Sequence, residues 1–205
     1  MLVTILLVGV FVAVTAMLAR ERLFAAMVML LNVLPAATLA TAWYEPLAAW
    51  LEGLMGRLAP PFSQFADMIA VWGIFAVVVG VARELTDRLG RPRVRFPFWL
   101  DLGGGVLVGA ITAWIMVGFT ATTLHMAALP REMVQPTPES RMLLGLAPDR
   151  KWLAWVRGST INGPFAAGER RAFDPEADFV LRYGDRRAGN AAAFAGEADE
   201  QAGKP

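Results

Sequence analysis

The residue types that most often carry out covalent or redox chemistry are scarce in this chain. It has no cysteine and a single histidine, His125. The first absence excludes disulfides, thiol redox chemistry and thiolate metal sites. A lone histidine argues against a His-based metal cluster or a Ser-His-Asp triad. No catalytic residue, cofactor-binding residue or metal ligand is therefore assigned, no cofactor is expected, and the chain is expected not to be an enzyme. The candidates that remain are polar residues set in apolar surroundings: Asn32, Asp67, Asp101, His125 and the threonines Thr112, Thr120, Thr122 and Thr123.

The most specific local pattern surrounds Asp101. Gly105 and Gly109 follow it at intervals of four, and Ala113 extends the series. On a helix, Asp101, Gly105, Gly109 and Ala113 share one stripe, and small residues there let another helix backbone approach closely. Packing within one chain is the expected use of the stripe, with an oligomer interface as the alternative. Asp101 falls in the first turn of its helix, where a carboxylate complements the helix dipole and can pair with Arg20, Arg22 or Arg83. An ion or proton pathway is the competing role, because acids within membrane spans are costly. The interfacial depth of Asp101 favours a structural role, and Asp67 is weighed the same way. Pro35, after Asn32, removes a backbone donor and is expected to kink its helix, with Asn32 bonding a freed group or a neighbouring helix. His125 is read as an interfacial residue at a helix end rather than a proton relay. The threonine hydroxyls can bond back to their own helices.

Long apolar runs must position these residues. Hydrophobic residues make up 56% of the chain and charged ones only 18%, against about 45–50% and 25% in soluble domains. Residues 1–130 carry 15 charged side chains, whereas the shorter remainder carries 22. Four runs, about 2–19, 23–43, 65–82 and 99–126, approach the roughly 20 residues that cross a bilayer. The fold class expected is an all-α membrane protein: a four-span bundle over residues 1–128, then a polar tail over 129–205 with 188–205 disordered. The short Arg20-Glu21-Arg22 connection predicts that the first two runs pair as an antiparallel hairpin. A cleaved signal peptide would carry its positive charge before the apolar run; here the arginines follow it, so an uncleaved span is favoured.

Residues 44–64 place Tyr44, Leu47, Trp50, Leu51, Leu54 and Leu58 at helical spacing between charged residues. The pattern fits either an amphipathic helix at the membrane surface or a connecting helix packed on the bundle. The patch Trp152, Leu153, Trp155, Val156 fits a short amphipathic helix that could dock on the membrane, the bundle or a partner.

Arginines in the first and third loops (Arg20, Arg22, Arg83, Arg88, Arg91, Arg93, Arg95) face a single one, Arg57, in the second. The positive-inside rule then places both termini outside the cytoplasm. A net charge of +1 with no concentrated basic patch gives no nucleic-acid surface.

The four-span plan, the short basic turn after the first span and the Asp101, Gly105, Gly109 spacing resemble the CvpA (colicin V production protein) family of bacterial inner-membrane proteins. The stretch from Ala37 to Leu51, containing Tyr44-Glu45-Pro46-Leu47, is also similar to that family. The likeness covers about residues 1–128. Leu18 to Leu23 lacks the family's paired glycines, and Leu102 stands where a basic residue commonly follows the Asp. The resemblance implies a role in toxin production or export and in envelope maintenance. The expectation is a multi-pass inner-membrane scaffold or accessory factor, with the lipid bilayer and envelope proteins as partners. The alternatives are an oligomeric transporter or channel subunit assembled through Gly105 and Gly109, and a small subunit of a larger membrane complex.

Overall fold

A computed structural model describes residues 1–58, 60–88, 96–127, 129, 134, 141–166, 172–186 and 188–189. Four helices are long and apolar enough to cross a membrane: α1 (Leu2–Ala19), α2 (Leu23–Leu58), α3 (Ala66–Arg88) and α4 (Phe98–Met126). A 3-10 segment, Pro60–Phe65, leads into α3. Beyond the spans lie α5 (Pro148–Ile161) and a helical stretch over 179–186. No strand occurs among the described residues.

The sequential hairpin expected for α1 and α2 is not the main pairing. The principal partner of α1 is α4, that of α3 is α2, and α2 also packs on α4 to join the two pairs. The reason lies in the small-residue stripe. A Cβ added at Gly109 would stand 3.1 Å from the Leu18 Cβ, and one at Gly105 would stand 3.2 Å from the Glu21 carbonyl. Ala113 on the same stripe is fully buried. Lipid tails are as apolar as the side chains, so close backbone approach is what holds such helices together. This seam is therefore filled from within the chain. Asp101 sits beside it, and its Oδ1 accepts a 2.8 Å hydrogen bond from the Leu23 backbone N–H. It thereby caps the start of α2, satisfying one of the donors that every helix N-terminus leaves over. An arginine partner was the expectation; a backbone amide is the partner found.

The second apolar run does not end at Trp43. Helix α2 continues to Leu58 across a break at Trp43 (φ −125°, ψ 19°). Pro46 lies three residues on and has no N–H for the Ala42 carbonyl, so the irregular dihedrals fall before it and not at Asn32–Pro35. Residues 44–58 are thus a bent extension of α2, packed on the bundle through Tyr44 and Ala48, with Trp50 and Leu54 exposed. Asn32 is buried, and its Nδ2 donates to Thr86 Oγ1 of α3 at 3.4 Å. Of the expected polar tail, residues 141–166 and 172–186 are folded onto the bundle. Residues 188 and 189 are helical, and the rest of the stretch expected to be disordered lies outside the described residues.

Candidate functional site at the capped end of the bundle

Antiparallel packing brings the start of α1, the bend of α2, the start of α3 and the end of α4 to one end. The segments 141–166 and 172–186 cover that end as a cap. Its core is shared with the spans: Trp152, Val156, Phe173 and Phe179 cluster with Tyr44, Val71 and Phe119. A second cluster joins Leu7 of α1 and Val117 of α4 to Met142 and Leu143 of the cap. The glycine at 118 allows α5 to lie directly on α4, since a Cβ there would be 3.0 Å from the Trp152 Cβ and 3.1 Å from the Pro148 carbonyl. Across the same contact, Lys151 stands 5.5 Å above the Trp114 ring, a cation–π geometry.

Three indoles, of buried Trp152, half-buried Trp72 and exposed Trp155, find hydroxyl partners. Trp152 Nε1 donates to Thr41 Oγ1 at 3.1 Å, Trp155 Nε1 to Thr38 Oγ1 at 3.2 Å, and Trp72 Nε1 to Thr123 Oγ1 at 3.3 Å. Each hydroxyl donates in turn to a carbonyl of its own helix: Thr41 to Ala37, Thr38 to Leu34, Thr123 to Thr120. A hydroxyl can do both because it carries one donor and two acceptor lone pairs. Thr112 back-bonds to Val108 in the same way, as the sequence leads one to expect.

The polar centre of the cap is Asp67, in the first turn of α3. Its Oδ2 accepts from Tyr183 Oη at 2.9 Å and from Arg186 Nη1 at 2.7 Å. Tyr183 and Tyr44 hydroxyls are 2.8 Å apart. Because the Tyr183 proton is committed to the carboxylate, the Tyr44 hydroxyl is the donor in that pair. The relay runs Tyr44 to Tyr183 to Asp67, with Arg186 closing it from the far side and reaching Glu52 at 3.6 Å. Burial pushes the Tyr183 phenol well above its ordinary value, and the charges and hydrogen bonds of Tyr44 and Asp67 push it further.

A test follows from the fact that these are the chain's only two tyrosines. An unfolded tyrosine ionises near pH 10, so the protonated native phenol contributes stability below that pH that is lost as pH rises above it. Tyrosinate absorbance is expected to stay absent past pH 10 and to appear only together with loss of the cap's tertiary signal. Tyrosinate forming near pH 10 in the folded protein would contradict the relay.

The second polar contact is between His125 and Asp149. His125 Nε2 lies 3.1 Å from Asp149 Oδ2, with both side chains essentially inaccessible. His125 is thus covered by α5, rather than displayed at an interface as its sequence position implied. Full burial keeps the imidazole from a solvent-borne substrate. Among the described residues no group of three or more His, Cys, Asp or Glu is arranged to hold a metal.

Of the residues singled out in the sequence, Asp101, Gly105, Gly109 and Ala113 line the seam of α4 with α1 and the start of α2, and Asn32 and Pro35 lie within α2. None of these six reaches the cap, whereas Asp67 and His125 bond to it. Sequence reasoning gave no role to Tyr183, Arg186 or Asp149, and placed Tyr44 only on the apolar face of a surface or connecting helix. The available signal was the i, i+4, i+7 series Phe179, Tyr183, Arg186, which puts an aromatic, a phenol and a cation on one helical face. No protein-family model, curated protein or solved structure matches this chain.

Proposed function

We propose that this chain is a non-enzymatic scaffold or accessory factor of the bacterial inner membrane, acting in the envelope homeostasis or toxin export that the colicin V production family resemblance implies. What supports this most is the use made of the charged and polar groups at the capped end. Tyr44, Tyr183, Asp67 and Arg186 bond in one relay and His125 bonds to Asp149, and the outcome is a fixed surface over the membrane helices. Such a surface suits recognition, which is favoured by groups held before the partner arrives.

The orientation proposed has the cap outside the cytoplasm, since Arg20, Arg22, Arg83 and Arg88 belong to the opposite end. The transporter reading, which needs assembly through Gly105 and Gly109, is less well supported, because the end of α1, Glu21 of the turn and Leu23 of α2 lie against these glycines.

Two measurements on the intact protein test this reading. A reporter that fluoresces only in the cytoplasm, fused after Pro205, is expected to stay dark. Protein reconstituted in liposomes is expected to pass no ions, while native mass spectrometry from mild detergent finds a stoichiometric envelope partner. Ion flux without a partner would defeat the scaffold reading, and a bright fusion would reverse the orientation.

A further inference from the structure

An open groove of about 970 Å³ runs between the bend of α2, the face of α3 and the cap segment 172–182. Ligand sites commonly fall at about 300–1,000 Å³. Its apolar wall is formed by Trp43, Leu47, Ile74 and Phe173; its rim carries Glu45, Asp174, Glu176, Asp178 and Arg182. The two parts lie at different depths. Ile74 is eight residues into α3, about 12 Å along the axis at ~1.5 Å per residue, whereas the rim belongs to the cap. The groove therefore starts in the aqueous layer and descends along a membrane-spanning helix.

We propose that this groove binds a zwitterionic phospholipid bearing a primary ammonium, of the phosphatidylethanolamine type, drawn from the leaflet beneath the cap. Charge complementarity identifies the occupant. Asp174 and Asp178 are engaged with one another and with backbone amides. This leaves the exposed Glu45 and Glu176 with one guanidinium on the rim, and a headgroup with one ammonium and one phosphate answers both signs. Arg182 lies 3.8 Å from Glu45 and 5.9 Å over the Tyr183 ring, and is half-exposed, so its outer edge can take a phosphate in the paired geometry guanidinium favours. Releasing Glu45 supplies an acceptor for the ammonium.

The bend adds another acceptor. Pro46 cannot donate to the Ala42 carbonyl, and both residues line the groove. The Trp43 ring, 56% exposed at the same place, offers the aromatic face that interfacial indoles present to cationic headgroups. The acyl chains would follow Leu47 and Ile74 into the hydrocarbon. An anionic headgroup without an amine meets a net-negative rim. The chain's own residues 190–205 carry Glu197, Asp199 and Glu200 against Lys204 alone, so the same rim disfavours them.

The test is native mass spectrometry of the full chain after exchange into micelles containing equal amounts of acyl-matched phosphatidylethanolamine, phosphatidylcholine and phosphatidylglycerol. One ethanolamine lipid per chain is expected to be retained, about tenfold over the glycerol lipid, with the choline lipid between them because methylation removes its N–H donors. Glu45→Gln combined with Glu176→Gln is expected to abolish that preference without moving the melting temperature, both side chains being on the rim. Arg182→Gln is expected to lower retention of all three lipids. Equal retention of the three by the wild-type chain would mean annular lipid only and would overturn the proposal, without requiring any variant to fold. Retention of an added lysine-rich helical peptide in place of lipid would overturn it equally.

Discussion

Replacing Asp149 with alanine will loosen the cap from the bundle and cost about 1–3 kcal/mol of stability, the range for leaving a buried polar group without its hydrogen-bond partner. The pair sits where two helix ends meet. His125 lies in the last turn of α4 and Asp149 in the first turn of α5. The end of one helix thus meets the start of the other through a single buried polar contact. The surroundings leave little reserve: His125 Nδ1 and Asp149 Oδ1 are buried without a hydrogen-bond partner of their own. Once Asp149 is gone, the imidazole is left in an apolar pocket with neither nitrogen bonded, and water must enter or the cap must move.

A companion variant separates loss of a partner from loss of packing. Replacing both residues with leucine should restore most of the stability, because exchanging both partners of a buried hydrogen bond for apolar groups can be nearly neutral. Thermal unfolding of the detergent-solubilised protein, with protease sensitivity of residues 141–166 as second readout, is the relevant measurement. An alanine variant that melts with the wild type and keeps this segment protected would sink the assignment.

The second large effect is expected at Gly109. A leucine there must project its side chain into space where Leu18, the Thr15 carbonyl and the Ala19 amide already lie within 3.1 to 3.7 Å of the first carbon. Two of those three neighbours are backbone, which cannot rotate aside as a side-chain end can. Over-packing of this kind costs about 1–3 kcal/mol and occasionally more. Only a small part of α1 is buried within the bundle, so its contact with α4 carries most of what holds it. Gly109→Leu is therefore expected to detach α1, freeing Met142 and Leu143 of the cap from Leu7, while leaving α2, α3 and the Trp152–Tyr183 part of the cap in place. Gly73 and Gly80 on α3 provide the control, since nothing lies within 4 Å of a Cβ added at either. Leucine there should change stability by no more than about 0.5 kcal/mol. Equal melting temperatures for the three leucine variants would contradict a close seam at Gly109.

The spans were legible because a membrane helix is specified by its own composition: length and apolarity suffice, with no knowledge of the neighbour. The packing seam was legible for a related reason. Glycines four apart have few uses on an apolar helix other than close approach. Its partner was not, since adjacency in the chain pointed to α2 while contact geometry chose α1. The bend of α2 was misplaced because two prolines compete within the helix, and only Pro46 coincides with Tyr44 and Ala48 turning inward to meet the cap.

The cap itself was beyond local reasoning. Its central bonds join residues 139 and 116 positions apart, Tyr44 to Tyr183 and Asp67 to Tyr183. Nothing beside Asp67 in sequence distinguishes a carboxylate bound by a distant arginine from one facing solvent. The Trp152–Val156 patch announced burial but not its surface. The choice fell to Gly118, Thr41 and Thr38, each unremarkable until α5 is laid against them.

The central claim is that residues 141–186 form a fixed cap on the membrane helices. The absence of cysteine makes it directly measurable by pulsed electron paramagnetic resonance. Spin labels can be placed at Ala154 on the exposed side of α5 and at Leu85 on α3, both away from the polar contacts. In lipid nanodiscs the labelled pair is expected to give one narrow distance distribution that broadens in Asp149→Ala. A broad distribution in the otherwise unaltered chain would mean that the segment is tethered to the bundle but not docked on it, and would contradict the account.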